Sequence, residues 1–431
     1  MSKLDKNKFE KYRQSINYLE SLFNLPQPDY LSTKSSRTLF LKRFSYFLNI
    51  LGNPQIGPQY IHIGGTSGKG STANMIHSIL TEAGKRTGLY TSPFPTTTIE
   101  KIKFRDLLIS PDEFAGLMEK IKPAVDETYQ KSPFGRPSYY EICTAIAFLY
   151  FKQKKCDYVV LEVGLGGRYD ATNIIPAAKI TVINLIDFDH TNLLGKTLRE
   201  IAKEKAGIIK PKTTFFTIDE NNGQVLKYLQ TICRAKKAEF NLVSPQKKYP
   251  INLLGDHQQK NAALADAVGA KLGIKPSIIN AGLQKTRLSC RMEMIQTNPK
   301  VILDGAHNRS KIKTTIETLK NLTYKKLYLI ISLTNERDAS QVFKELFPLA
   351  DYILATRYQS VMKKCRPPLQ LVKNVKTNNY KIFLDPKMAL KEALRRAGSN
   401  DLILVTGSFY LAGEIRKQWR DEEKILKERK I

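Results

Sequence analysis

The 431 residues, 42% hydrophobic and 25% charged, are those expected of a soluble globular protein of two or three domains, and no apolar run is long enough to span a membrane. The polar N-terminus lacks the apolar core of a signal peptide, and five scattered cysteines without a CxxC pair argue against a zinc site or a disulfide framework, so a cytoplasmic protein is expected. The formal net charge is +29, but the lysines are spread in short clusters with no aromatic-interleaved basic stripe, which disfavours specific nucleic-acid binding and leaves a lysine-rich background or attraction of polyanionic substrates.

Residues 1–50 read as helical, with Tyr12, Ile16, Leu19 and Leu22 on one stripe and Leu39, Phe40, Phe44 and Phe47 on another. A loop over 51–58 leads into a short buried strand around Tyr60, Ile61 and Ile63. A Gly-rich stretch follows, then a helix over 73–83 and a strand over 87–93 ending in a turn. Helices are expected over 111–131 and 141–152, strands over 158–163 and 180–186, and a helix near 198–206. Shorter elements at 214–217 and 236–242 precede an alanine-rich helix over 257–272 and another over 276–283. Beyond a boundary between 296 and 297 the alternation restarts: strand 301–303, helix 310–321, strand 326–331, helix 339–347, and strands 352–355 and 402–405. Strands alternating with helices predict an α/β protein with a mostly parallel sheet, followed by a smaller Rossmann-like α/β domain. No internal repeat or low-complexity segment is present.

The stretch His62-Ile-Gly-Gly-Thr-Ser-Gly-Lys-Gly-Ser-Thr72 lies between the first strand and its helix. Glycines let the backbone turn tightly and aim N–H groups at one point, and the helix start adds unsatisfied donors and the positive dipole end. Lys69 can neutralise phosphate oxygens there, and the Ser71 or Thr72 hydroxyl can reach phosphate or Mg²⁺. Gly70 departs from the ordinary pattern, in which Ser or Thr follows the lysine. The stretch reads as a nucleotide phosphate site, and the first domain as a P-loop ATPase-type unit. Ligands of open α/β sheets gather at the carboxyl ends of strands, where Ser92, Glu162 and Asp187-Phe-Asp-His190 fall. A glutamate in a Val/Leu strand is costly to bury unless paired or metal-bound. Glu162 could pair with an arginine such as Arg168; beside a phosphate loop, Mg²⁺ ligation is the favoured reading. His190 is an atypical ligand for that ion.

The motifs Gly-Thr-Ser-Gly-Lys-Gly-Ser (65–71), Thr-Ser-Pro-Phe (91–94) and Glu-Val-Gly-Leu-Gly-Gly-Arg-Tyr-Asp-Ala-Thr-Asn (162–173) continue with Asp-His-Thr-Asn-Leu-Leu-Gly (189–195), Lys-Glu-Lys-Ala-Gly-Ile-Ile (203–209) and Gly-Asp-His-Gln-Gln-Lys-Asn-Ala (255–262). Leu-Asp-Gly-Ala-His-Asn (303–308) and Thr-Gly-Ser-Phe-Tyr-Leu-Ala-Gly-Glu (406–414) complete the series. With these, nearly the whole chain resembles the Mur ligase superfamily, and within it the folylpolyglutamate synthase/dihydrofolate synthase enzymes. The resemblance implies an ATP-dependent amide ligase that joins L-glutamate to a folate or dihydropteroate carboxylate through an acyl phosphate. It implies that Gly65, Thr66, Ser67, Gly68, Lys69, Gly70, Ser71 and Thr72 hold ATP together with Asn261, Arg291, Asp304 and His307. It assigns two Mg²⁺ ions to Ser92, Glu162, His190 and Lys205, with Lys205 carbamylated into a carboxylate-like ligand. Lys69, His190 and Lys205 are then the catalytic candidates. The pterin would lie near Tyr139, Tyr140, Tyr169, Asp170 and Ala171, and a monomer is implied.

Some positions depart from the family pattern: Ser67 stands for a usual Asn, Phe94 for a His of many bifunctional members, Arg309 for a Pro, and Asn335-Glu-Arg-Asp338 for an Asp-Lys-Asp. They leave the ATP chemistry intact and bear on the acceptor: Arg168-Tyr-Asp-Ala-Thr-Asn173 leans to the bifunctional type, Ser-Pro-Phe to polyglutamylation alone. The competing readings are a related ligase acting on another carboxylate, such as a cell-wall precursor, and a nucleic-acid-associated P-loop protein.

Overall fold

The computed structural model describes residues 9–24, 37–360, 363–373, 375 and 379–430. Of the expected helical start, 1–8 and 25–36 lie outside these residues; the rest forms helices Glu10–Ser21 and Thr38–Ile50. Their apolar stripes bury Tyr12, Leu19, Phe44 and Phe47 against Phe114, Ile142 and Phe148.

Eight strands build the first sheet: β1 (Gln59–Gly64), β2 (Thr87–Tyr90), β3 (Ile102–Phe104), β4 (Leu107–Leu108), β5 (Tyr158–Glu162), β6 (Ile180–Ile183), β7 (Thr214–Ile218) and β8 (Glu239–Val243). Their order is β4-β3-β2-β5-β1-β6-β7-β8. All pairings are parallel except β2-β3 and β3-β4 at one edge. Covered on both faces, the central strands read as continuous apolar runs, as buried parallel strands do. The chain leaves β1 in one direction for β2, whereas β6 passes in the other to β7. Such a reversal opens a crevice at the carboxyl ends of β1, β5 and β6. The helix Lys69–Glu82 closes one face, packing Ile76, Ile79 and Leu80 against Leu264, Val268 and Leu283.

The second sheet comprises β9 (Glu293–Thr297), β10 (Lys300–Leu303), β11 (Leu327–Ile331), β12 (Tyr352–Ala355), β13 (Tyr380–Ile382) and β14 (Leu402–Thr406), ordered β13-β12-β11-β14-β10-β9 with β9 antiparallel. β9 straddles the 296/297 boundary, with only Thr297 beyond it. It is a half-buried edge strand carrying Glu293 and Gln296, so it has no apolar signature. β3 and β4 are too short for periodicity to reveal, and the helix Gly223–Ala235 was likewise not expected. The helix expected over 339–347 stops at Val342; Phe343 turns inward, fully buried, and a 3₁₀ turn re-forms at Phe347–Leu349 around Pro348.

Two further contacts tie the units together. Helix Phe409–Arg416 ends in Arg416, which is buried between Glu293 at 3.1 Å and Glu100 of the first unit at 3.8 Å. Helix Glu422–Glu428 then returns to the first unit, inserting Ile425 and Leu426 into its core, and the Leu108 N–H donates to the Arg429 carbonyl.

Within the first unit, Arg43 pairs with Glu141 at 2.9 Å with both side chains buried, and Glu141 also caps its own helix through the Ser138 N–H. Removing one partner of a buried pair strands the other charge. Arg43→Ala should therefore cost about 3–5 kcal/mol in chemical denaturation, whereas a loss under 1 kcal/mol, as for a surface pair, would show that Glu141 is satisfied without it.

Candidate active site

β1 delivers the chain into the Gly-rich loop, and the helix begins at Lys69 rather than at 73. Glycine and hydroxyl residues read as loop by propensity, but Gly68 takes the left-handed cap position (φ 82°) that a side chain disfavours, and the helix starts directly after it. Lys69, Gly70 and Ser71 thus form the first turn, whose N–H groups face the crevice. The Lys69 ammonium folds back to donate to the Gly65 carbonyl at 3.1 Å, and Lys205 donates to the same carbonyl at 2.8 Å. Burial, and then repulsion from Lys69, lowers the Lys205 pKa to about 7; burial lowers that of Lys69 as well. Ser67 has a buried hydroxyl with no partner among the described residues.

Gly70 has a steric reason. A Cβ there would lie 2.7 Å from Arg291 Nη2 and 3.1 Å from Glu162 Oε2, so the usual Ser or Thr would push both groups aside. The Arg291 tip can shift, so the effect should fall on chemistry more than on folding. We expect Gly70→Ala to lower kcat/KM for ATP about 10–100-fold, the scale of a small misplacement of a reacting group, with little change in thermal midpoint. Unchanged kinetics would remove Arg291 from the nucleotide site.

Thr72 turns away from the crevice. Its hydroxyl accepts from Asn184 at 2.9 Å, and Asn184 also donates to Asn261 at 3.1 Å, so the three brace the loop from behind. Glu162 is buried at the end of β5 and accepts from the Ser92 N–H at 3.1 Å. It forms no ion pair with Arg168 among the described residues; burial raises its pKa, while Arg291 and Lys69 oppose the rise. Ser92 and Glu162 thus place hard oxygen donors beside the phosphate loop. His190 caps a short helix, Thr191–Leu194, with its side chain 42% exposed and 3.9 Å from Asp189. No group of three or more His, Cys, Asp or Glu residues converges as a metal cage among the described residues.

Arg291, just ahead of β9, joins Asp304 and His307 of the second unit at this cavity. Asp304 accepts from Thr315 at 2.6 Å. His307 Nδ1 donates to the Gly305 carbonyl at 2.7 Å, so its Nε2 accepts from Lys311 at 3.0 Å. Lys311, lowered by burial to about 8, also lies 3.5 Å from Asp189. Asp189 takes Arg337 at 2.9 Å and Asn308 at 3.0 Å as well. Burial pushes its carboxyl up, but Lys311, His190 and Arg337 outweigh that and hold it well below the carboxylate range.

Apart from Thr72 and Asn308, these groups border one cavity of about 1170 Å³. Tyr139 and Tyr140 line it as well, together with Phe23 and Lys101. Asp170 also borders it, but its carboxylate is taken by the N–H groups of Gly164, Leu165 and Thr172, so it folds the turn after β5. Tyr169 and Ala171 do not line the cavity. Sequence reasoning missed Lys311, Arg337 and Lys101 and saw Asp189 only as part of the 187–190 turn; no spacing marks residues that meet across two domains.

With this geometry in place, comparison with known proteins gives consistent results. Residues 63–231 match the family model described as Mur ligase middle domain, and 290–409 that described as Mur ligase, glutamate ligase domain. The chain is 33% identical to a dihydrofolate synthase/folylpolyglutamate synthase of Bacillus subtilis, covering 88% of this chain and 94% of that one. It is 30% identical to a folylpolyglutamate synthase of Lacticaseibacillus casei, over 94% of this chain and 98% of the other. The solved structure of Mycobacterium tuberculosis folylpolyglutamate synthase complexed with ADP superposes with a TM-score of 0.85 at 26% identity, covering 95% and 99% of the two chains.

Proposed function

The chain belongs to the Mur ligase family, among its folylpolyglutamate synthase/dihydrofolate synthase enzymes, and from that premise we propose how its residues carry an ATP-dependent ligation of L-glutamate to a folate-type carboxylate. The observation that carries the reading is the single cavity in which a phosphate loop, a set of cations and a tyrosine-lined wall meet at the junction of two α/β units. The names of the matched relatives favour a folate acceptor over a cell-wall precursor.

In this reading the loop from Gly65 to Ser71 and the first-turn N–H groups hold the ATP phosphates, with Asn261, Arg291, Asp304 and His307 around the rest of the nucleotide. The acceptor lies against Tyr139 and Tyr140 and presents its carboxylate toward Lys69. Transfer of the γ-phosphoryl group gives an acyl phosphate, the amino group of glutamate attacks it, and the tetrahedral adduct expels phosphate to leave an amide. Carboxylate and triphosphate repel, so the positive charges of Lys69 and Arg291 count most where they approach. Ser92 and Glu162 suit Mg²⁺, which favours one or two carboxylates plus substrate phosphates over a closed protein cage. Such an ion, held with His190 and a carbamylated Lys205, would screen the phosphates. The Asp189 cluster with Asn308, Lys311 and Arg337 joins the two units over the cavity and supports exclusion of water from the acyl phosphate.

The proposal extends to a division into 1–296 and 297–431, with β9 belonging to the second sheet, and to a cytoplasmic monomer. Sedimentation would test the last point. Among the described residues no helix is long and apolar enough to cross a membrane.

The deciding assay is ADP release dependent on ATP, Mg²⁺ and glutamate, with dihydropteroate and tetrahydrofolate compared as acceptors. Turnover of both makes a bifunctional enzyme in which Phe94 is tolerated, and tetrahydrofolate alone a polyglutamylating one. Silence with both, against turnover of a peptidoglycan precursor, would overturn the reading.

A further inference from the structure

Lys101 ends the 3₁₀ turn Thr98–Lys101, and its carbonyl accepts from the Thr91 N–H at 2.9 Å, which fixes it beside Ser92 and Pro93. The residue is only 4% exposed, yet it borders the cavity. The ammonium lies 5.6 Å from the Phe94 ring centre, 5.3 Å from that of Tyr139 and 5.9 Å from that of Tyr140. No carboxylate among the described residues lies within ion-pair distance of it, and it makes no side-chain hydrogen bond among them. Three other lysines of the cavity differ in this respect: Lys69 and Lys205 donate to Gly65, and Lys311 to His307.

Three aromatic rings offset part of the cost of burying a cation. They accept no conventional hydrogen bond, so the N–H donors that face the cavity are left to solvent or to a bound ligand. A ligand that enters the cavity and offers an acceptor there takes the place of that solvent. That acceptor must sit on a body that fits among aromatic rings. The three rings around the ammonium suit a flat, largely apolar body better than a tetrahedral phosphate. A ring carbonyl on a flat heterocycle supplies a strong acceptor without a full charge.

We propose that Lys101 is a specificity-determining residue that donates to the oxo group of the acceptor's bicyclic ring, so that the pocket favours a 4-oxo over a 4-amino heterocycle. This rests on the folate-type reading above. An amino group at that position offers N–H donors toward an ammonium that also can only donate, leaving both sides unpaired.

The test is glutamate-dependent ADP release with tetrahydropteroylglutamate and with its 4-amino-4-deoxy counterpart, for the wild type, Lys101→Met and Lys101→Arg. The wild type should prefer the 4-oxo acceptor by at least about tenfold in kcat/KM, as sites built to hydrogen-bond a substrate group do. Lys101→Met should raise KM for the 4-oxo acceptor about tenfold, erase the preference, and leave KM for ATP unchanged; Lys101→Arg should keep part of the preference. If circular dichroism shows Lys101→Met unfolded, Lys101→Gln takes its place under the same criteria. A folded variant that keeps the wild-type preference, or one whose KM for ATP moves in parallel, overturns the role of Lys101 while the ligase reading stands. A wild type that turns over neither acceptor removes both.

Discussion

Replacement of Lys69 by alanine should yield a folded protein whose ADP release is slower by about two to three orders of magnitude, the scale seen when a preorganised group is removed from a reacting centre. Lys69 stands at the first position of its helix, where the dipole favours anions and disfavours its own charge. It shares the Gly65 carbonyl with the amine of Lys205, whose pKa burial and the nearby Lys69 lower to about 7. The free protein thus crowds two amines at a place unfavourable for positive charge, a cost that a bound polyanion offsets. The thermal midpoint of Lys69→Ala should accordingly stay the same or rise slightly. Retained turnover would refute the phosphate-site assignment, and a collapse of the midpoint would make Lys69 structural.

Lys205→Ala should lose activity to a comparable degree, and acetate should restore part of it if the lysine acts as a carbamate. The amine that reacts with carbon dioxide is the neutral one, and a pKa of about 7 makes that form plentiful near neutrality. The same shift has a stability signature that needs no assay. Between about 7 and the ordinary 10.5 the unfolded chain binds a proton at this side chain that the unmodified folded protein does not. Stability contributed by this group therefore rises with pH across that window. Denaturation midpoints of wild type and Lys205→Ala, both freed of bicarbonate, should diverge with the wild type gaining as pH rises from 7 to 10. Wild-type rates in the variant would rule out an essential role, and parallel stability curves would show that Lys205 is not held neutral.

The parts legible in the sequence are those where one short segment carries the whole signal. The loop from Gly64 to Thr72 announces itself because glycines, a lysine and hydroxyls all answer to one backbone turn. Glu162 stands out because a carboxylate inside Tyr-Val-Val-Leu needs a reason. Asp170 and Thr72 show the limit: their residue types suit ligands, but hydrogen bonds to Gly164, Leu165 and Asn184 turn them inward. Lys311 and Arg337 were unreadable for the opposite reason. Each looks like an ordinary surface cation until Asp189, more than a hundred residues earlier, is brought against it. Lys101 stayed hidden because its aromatic neighbours come from separate segments, around Phe94 and around Tyr139.

The return of the helix Glu422–Glu428 to the first unit changes what the second unit can do. The chain passes from one unit to the other near residues 286–292 and is pinned back by Ile425, Leu426 and the Leu108–Arg429 hydrogen bond. The second unit is thus tethered to the first at both ends of its chain, and the Arg416 and Asp189 contacts bridge the seam between the tethers. Cutting the C-terminal tether would leave those polar contacts to hold that side of the unit alone.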